Sequence, residues 1–276
     1  MLIEFNDVCF EYGKKDRLAL NDINLVIDKN EIIFIMGHTG SGKSTLVQHI
    51  NGLLRCKEGN VIIEVAGQKF SLSSQKKEKK VKELRKQVGL VFQFPEYQLF
   101  ETTVIRDVMF GPMNFYHDEE KARIMAIRAL NKVGIEENYY ERSPFELSGG
   151  EKRKVAIAGV LASNPDIIIM DEPTSSLDSN AGKEIMNLVC ELKEEGKIVI
   201  VISHDTDLCY EYADRVVVMH EGKILKDGSP DYVFDDFEIL NKSKLIEPFV
   251  HKVKTRLNIK ENIKNIDDLK EVIKHG

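Results

Sequence analysis

Three observations predict an α/β fold built on a mostly parallel sheet. Short, wholly apolar runs at Ile32–Met36, residues 167–170 and Ile198–Ile202 read as strands buried on both faces. Helical patterns over residues 151–162 and 181–195 each precede one of these runs. An alternation of helix and apolar strand is what parallel strands joined by crossover helices produce.

Taken in chain order, strands are expected at residues 3–10, 25–28, 32–36, 61–65, 88–92, 167–170, 198–202 and 216–219. After the third, Leu46, Val47 and Ile50 form one helix face, which Asn51-Gly52 stops. Residues 121–133 also carry a helical pattern. Glu221-Gly222, between VVVMH and KILKDG, reads as a hairpin turn. Near the end, Leu245, Phe249, Val253 and Leu257 recur every fourth residue, with Ile246 and Val250 beside them, so a helix face is expected. Proline is tolerated in a first turn, so that helix begins near Pro248. Asn265 or Asp267 caps a last short helix carrying Leu269, Val272 and Ile273. No internal repeat or low-complexity tract interrupts the pattern.

Composition narrows the function classes. A chain of 276 residues with 42% hydrophobic content can bury a full core as one large or two modest domains. A net charge of −6 and a pI near 5.7 argue against nucleic acid as a partner, since phosphate backbones are held by clustered Lys and Arg. No apolar run approaches the ~18 to 20 residues of a membrane span, and MLIEFNDVCF lacks a signal-peptide layout, so a cytoplasmic location is expected. Cys9, Cys56, Cys190 and Cys209 are scattered without metal-ligand spacing and read as reduced structural thiols. The basic run KKEKKVKELRK, residues 76–86, has no interleaved aromatics and contains Glu78 and Glu83, which fits a solvated helix or loop.

The chemistry begins at GHTGSGKST. Gly37, four residues, then Gly42-Lys43-Ser44 fit a phosphate loop, set between an apolar strand and a helix as that motif requires. Along Gly37, His38, Thr39, Gly40, Ser41, Gly42, Lys43, Ser44 and Thr45, glycines let backbone N–H groups curl round an anion at a helix N-terminus. Lys43 reaches the β and γ phosphates of a nucleotide, and Ser44 is placed to ligate Mg²⁺. The strand at 167–170 runs into Asp171-Glu172, so two carboxylates emerge at the carboxyl edge of the sheet, where α/β folds place ligands. Asp171 suits the Mg²⁺ shell and Glu172 suits polarisation of an attacking water. A second glycine pair stands in FELSGGEK, where Ser148, Gly149 and Gly150 open the helix expected at 151–162 and aim its positive end at an anion.

Together, GHTGSGKST, Gln93 in VFQFPE, LSGGE, IIIMDEPTSSLD and His204 in VISHD resemble the ATP-binding subunits of ABC transporters, in order and spacing, over about residues 1–230. The resemblance implies a phosphate-loop NTPase core with an N-terminal antiparallel β subdomain, an inserted helical subdomain and a short C-terminal helical extension. It implies an ATPase domain over 1–235, the helical subdomain at about 94–165, and an extension over 236–276. Two ATPase subunits would pack head to tail, each LSGG segment closing over the ATP in the other's phosphate loop. By the same resemblance Tyr12 stacks on adenine, Gln93 touches Mg²⁺ and the attacking water, His204 contacts the γ-phosphate, and Asp178 ends a segment crossing between subunits. Glu151 replaces the glutamine more usual in the family, and its charge beside a triphosphate is expected to weaken closure slightly.

Within that family, QFPEYQLFETTVIRDVMFGPMNF, residues 93–115, is similar to the ATPases of energy-coupling factor transporters, and QFPEYQLFE to their A′-type paralogue. That likeness implies a peripheral protein at the cytoplasmic face of the membrane, powering import of vitamins or transition-metal ions such as cobalt. Its partners would be a second ATPase, a transmembrane coupling protein and a small substrate-binding membrane protein. Pro95, Tyr97, Leu99 and Phe100 would then line the groove for the coupling protein. The C-terminal helix would pack on its own domain or contact the second ATPase. Chromosome-maintenance ATPases insert a long coiled coil before the signature, and ribosome-associated factors carry two cassettes; this chain has neither. The nearest rival is the ATPase of a conventional ABC importer.

Overall fold

A computed structural model describes residues 1–13, 18–28, 30–73, 80–261 and 263–275. The sheet at its centre has six strands in the order β10-β9-β3-β8-β7-β6: β3 (Ile32–Met36), β6 (Val88–Val91), β7 (Ile167–Asp171), β8 (Ile198–Ile202), β9 (Arg215–His220) and β10 (Lys223–Gly228). The sheet is parallel except for β10, which pairs antiparallel with β9. The expected hairpin joins these two, with Glu221 and Gly222 both at positive φ as a tight two-residue turn demands.

Side-chain alternation explains why the sheet is buried on both faces. Ile33 and Ile35 of β3 point into one core, while Ile32, Phe34 and Met36 point into the other. The first core lies between this sheet and a four-stranded antiparallel sheet, order β2-β1-β4-β5: β1 (Leu2–Phe10), β2 (Leu20–Ile27), β4 (Glu58–Val65) and β5 (Gln68–Ser71). α1 (Lys43–Ile50) fills it through Leu46, Val47 and Ile50. The second core is helical, built from α3 (Val104–Tyr116), α4 (Glu119–Lys132), α5 (Gly149–Leu161), α6 (Ser179–Glu194) and the helices that follow β10. α3, α4 and α5 pack on one another as a helical layer.

Several elements differ from expectation. β2 starts at Leu20, five residues before the apolar pattern becomes visible, because Asn21, Asp22 and Asn24 alternate with buried Leu20 and Ile23. β5 buries only Phe70, and α3 carries Gly111 and Pro112, so neither signals its type in sequence. Of the basic run, residues 76–79 lie outside the described residues; Lys80 is the N-cap of α2 (Val81–Gln87), which holds the rest and buries only Leu84.

The tail forms α7 (Thr206–Tyr212), α8 (Pro230–Phe234), α9 (Phe237–Ser243), α10 (Phe249–Arg256) and α11 (Ile266–His275), counting the helix after β8 as the first. Pro248 is the N-cap of α10, as expected; of the expected face Val250 is buried and Leu245 and Val253 pack against the core, with His251 buried beside them, whereas Phe249 and Leu257 are exposed. Polar bonding sets that rotation: the His251 ring meets Asp235 at 3.0 Å and Glu247 at 2.9 Å, edge-on to Tyr210. The helix is also too short for the four-residue stripe, since Leu245 precedes it and Leu257 is its C-cap. Asn265 accepts from the amides of Asp267 and Asp268, so it, and not Asp267, caps α11.

Candidate functional site

β3 delivers the chain to Gly37 at the carboxyl edge of the parallel sheet. There φ is +140°, and a Cβ would stand 2.1 Å from the Met219 carbonyl oxygen. At Gly42, the N-cap of α1, φ is +105° and a Cβ would meet the Ala19 carbonyl oxygen at 2.5 Å. Only glycine lets the loop curl this tightly against β9 and β2. The Lys43 ammonium turns back and donates to the carbonyls of Gly37 (2.6 Å) and His38 (3.1 Å). Burial pushes the Lys43 pKa down, opposed by the charges of Glu172 and Asp171. His38 lies edge-on to His220, its Nε2 3.2 Å from His220 Nδ1. Ser41 is wholly buried, and its hydroxyl has no partner among the described residues.

A cleft of about 330 Å³ runs from this loop to the ends of β7 and β8, lined by Thr39, Gly40, Gly42, Lys43, Ser44, Thr45, Gln93, Asp171, Glu172 and His204. Ser44 donates its hydroxyl to Asp171 Oδ2 at 3.1 Å. Burial raises the Asp171 pKa, tempered by that bond, with Glu172 pushing further up and Lys43 down. Glu172 is held at φ +51°, its amide donating to Ile202 O at 2.9 Å, so the backbone turns off the strand in a left-handed step. Its Oε1 lies 2.8 Å from His204 Nδ1; a carboxylate can only accept, so Nδ1–H donates.

The cleft fits a nucleotide and a hard divalent cation. Gly37 and Gly42 let the loop curl at points where a side chain would strike the Met219 and Ala19 carbonyls, beside a lysine that donates to its own loop carbonyls. The Ser44 hydroxyl and Asp171 carboxylate are oxygen donors of the kind Mg²⁺ prefers. Tyr12 reaches the same loop, its hydroxyl 2.9 Å from Thr45 Oγ1, while most of its ring stays exposed.

Ser148, Gly149 and Gly150 do not line this cleft. They open α5 at the surface, where Ser148 and Glu151 form a reciprocal capping box. The Glu151 carboxylate accepts from the Ser148 amide at 2.8 Å, and that capping interaction, with Tyr139 beyond it, pulls its pKa down. The negative charge is therefore turned back onto its own helix end.

A family model described as ABC transporter matches residues 20–175. The energy-coupling factor transporter ATP-binding protein EcfA2 of Clostridium tetani is 46% identical over 263 residues, covering 93% of this chain and 89% of the relative. The protein of the same description from Leuconostoc mesenteroides is 48% identical over 238 residues, 85% of this chain and 82% of its own length. The chain belongs to the ABC transporter ATP-binding proteins, in their energy-coupling factor branch.

This ABC ATPase also superposes on solved cassettes. The structure of cbiO1 from Clostridium perfringens, part of the ABC transporter complex cbiONQ, aligns with a TM-score of 0.74 at 35% identity, over 92% of this chain and 98% of that one. The dimeric cassette MJ0796 bound to ADP and Pi aligns with a TM-score of 0.71 at 31% identity, over 83% and 98%. The A′-type resemblance is thus borne out, as is an ATPase subunit that binds ATP or ADP.

Around the ABC site, the four apolar residues expected in the membrane-facing groove divide. Pro95 and Leu99 are buried, whereas Tyr97 and Phe100 stay exposed, Phe100 edge-on to Phe110 with ring centroids 5.0 Å apart. Among the described residues no helix is long and apolar enough to cross a membrane. One residue close to the site went unnoticed in the sequence: Arg153, only 2% exposed, bound to Glu96 and to the segment after Glu172. Its signal is faint, an arginine at the mouth of the apolar stretch VAIAG on α5.

Proposed function

We propose that this ATPase hydrolyses ATP as one half of a head-to-tail pair and powers import of vitamins or transition-metal ions through two membrane partners, a coupling protein and a small substrate-binding protein. The observation that carries the reading is the separation of two anion-binding ends. The phosphate cleft with Asp171, Glu172 and His204 is one, and Ser148 to Gly150 at the start of α5, outside that cleft, is the other. A single chain presents half of each composite site, and a facing neighbour supplies the rest. The Ser148 hydroxyl accepts from Glu151 N at 3.3 Å at the exposed start of α5.

In this reading the amides of residues 37–45 and Lys43 hold the β and γ phosphates, Thr45 lies beside them, and Tyr12 stacks on adenine. Ser44, Asp171 and Gln93 would hold Mg²⁺, which would neutralise charge on the phosphate oxygens. Glu172 accepts a proton from the water that attacks the γ-phosphorus as the bond to ADP breaks. His204 steadies that carboxylate through Nδ1 and lies beside the γ-phosphate. Residues 1–235 act as the ATPase domain, with about 94–165 as its helical subdomain, and 236–276 contact the second ATPase. The exposed Tyr97 and Phe100 receive the coupling protein and hold the subunit at the cytoplasmic face of the membrane.

Glu172→Gln tests the chemistry. The variant is expected to bind ATP normally, to accumulate as a closed pair, and to hydrolyse at least ~10²-fold more slowly, the usual contribution of a general base. Unchanged turnover with the paired ATPase also disabled would remove Glu172 from this role. Purification of the native complex tests the assembly. A coupling protein with a paralogous ATPase is expected, whereas identical ATPases with a solute-binding protein would point to a conventional importer.

A further inference from the structure

Arg153 joins three segments that the proposed cycle requires to move together. It stands on α5, five residues after Ser148, with its side chain 3% exposed. Toward the segment Pro95–Gln98 it forms a two-pronged ion pair, Nε to Glu96 Oε2 at 3.2 Å and Nη2 to Glu96 Oε1 at 3.1 Å. Toward the segment after Glu172, Nη1 donates to the carbonyls of Pro173 (3.4 Å) and Ser175. The guanidinium also lies 5.9 Å from the centroid of Phe94, whose φ of +54° sets the direction of Pro95–Gln98.

A planar guanidinium with a donor on every edge constrains all its partners at once, which a lysine ammonium cannot do. A buried arginine that loses one partner leaves an uncompensated charge, so the partners are held to follow its helix. α5 is the helix whose first residues are offered to the neighbour's nucleotide. A shift of α5 therefore moves Glu96, beneath exposed Tyr97, and the carbonyls just past Glu172 through one rigid group.

We infer that Arg153 is a positioning residue that locks the signature helix α5 to the membrane-facing segment through Glu96 and to the catalytic-carboxylate loop through the Pro173 and Ser175 carbonyls. The inference rests on the proposed roles of Glu172 and Pro95–Gln98, and its test is independent of both hydrolysis and membrane docking.

The test is hydrogen–deuterium exchange of the full chain, assembled with the paired ATPase, in a Glu172→Gln background, with and without Mg-ATP. The amides read are those of residues 96–99 and 174–177. With Arg153 and Glu96 intact, Mg-ATP is expected to slow exchange at both segments. Glu96→Gln cuts one arm only: the ATP response at 96–99 is expected to fall about tenfold, the scale of a lost charge-assisted bond, while 174–177 keeps its response. Arg153→Lys keeps the charge but not the fork, and the responses of both segments are expected to drop while ATP affinity stays within about twofold. A purely structural role would predict something else, faster exchange in both segments with and without ATP and a lower Tm, and that result would overturn the inference. So would an ATP response at 96–99 that survives in Glu96→Gln, or one that is absent in the chain with both residues intact. Glu96→Gln preserves volume, so the test stands even if Arg153 variants fold poorly. Failure of Glu172 as base would show as continued hydrolysis in the Glu172→Gln background, and the same exchange comparison made with a non-hydrolysable ATP analogue then tests the inference separately.

Discussion

Lys43 commits its ammonium to two carbonyls of its own loop, an arrangement that a bound phosphate would replace with stronger charge-assisted bonds. Lys43→Ala is therefore expected to weaken nucleotide binding by at least ~10-fold, since each such bond contributes about 1.5–3 kcal/mol, as equilibrium titration with a fluorescent ATP analogue would show. Gly37→Ala presses a methyl against Met219 O and strains the backbone, so a loss of roughly 1–3 kcal/mol in thermal unfolding is expected even without nucleotide. At this scale the sequence was highly legible, because glycines, a lysine and strand-end carboxylates must stand at fixed spacing to surround a phosphate. The contacts that tune them were not. The Tyr12–Thr45 bond, the His38–His220 pair and the Arg153–Glu96 fork join residues 33, 182 and 57 positions apart, and spacing along a chain carries no sign of such meetings.

The elements read from sequence were those with a continuous burial pattern: β3, β7 and β8 are apolar throughout their cores, and α5 and α6 lead into strands. Those missed are half-solvated or irregular, as β5 and the proline-bearing α3 are, and the tail showed a stripe but not which side would turn inward. The cap of α11 gives a direct test. Asn265→Ala is expected to cost about 1 kcal/mol and to speed amide exchange in that helix, with little change in the central sheet. Where α7, α8 and α10 meet, Asp231 accepts from Tyr210 at 2.6 Å and Lys254 at 3.1 Å. Burial pushes the Asp231 pKa up, yet these bonds outweigh it and leave the carboxyl below its ordinary value. A depressed folded value means that the stabilisation is complete above the unfolded value and disappears as pH falls through the folded one. Lys254→Met is therefore expected to move acid loss of the tail helices to higher pH, read by exchange at α10. The shift is small, because the Asp231 side chain is 52% exposed.

Across the whole molecule, two hydrophobic cores pack on opposite faces of one sheet, and the phosphate loop and carboxylates share one edge of it. In the proposed pair that edge closes against a neighbour. Specific hydrolysis activity is accordingly expected to fall on dilution and to recover when the paired ATPase is added. An activity per chain that stays constant from micromolar to nanomolar concentration would contradict pairing.

The left-handed backbone at Glu172 has an implication for anyone improving this protein. Asparagine and glycine rest more easily at that φ than a longer side chain does. A selection that rewards only heat resistance should therefore drift toward Glu172→Asn or Glu172→Gly, yielding sturdier molecules that the proposed role of Glu172 predicts to be inactive. At that position the proposed role demands the less comfortable residue.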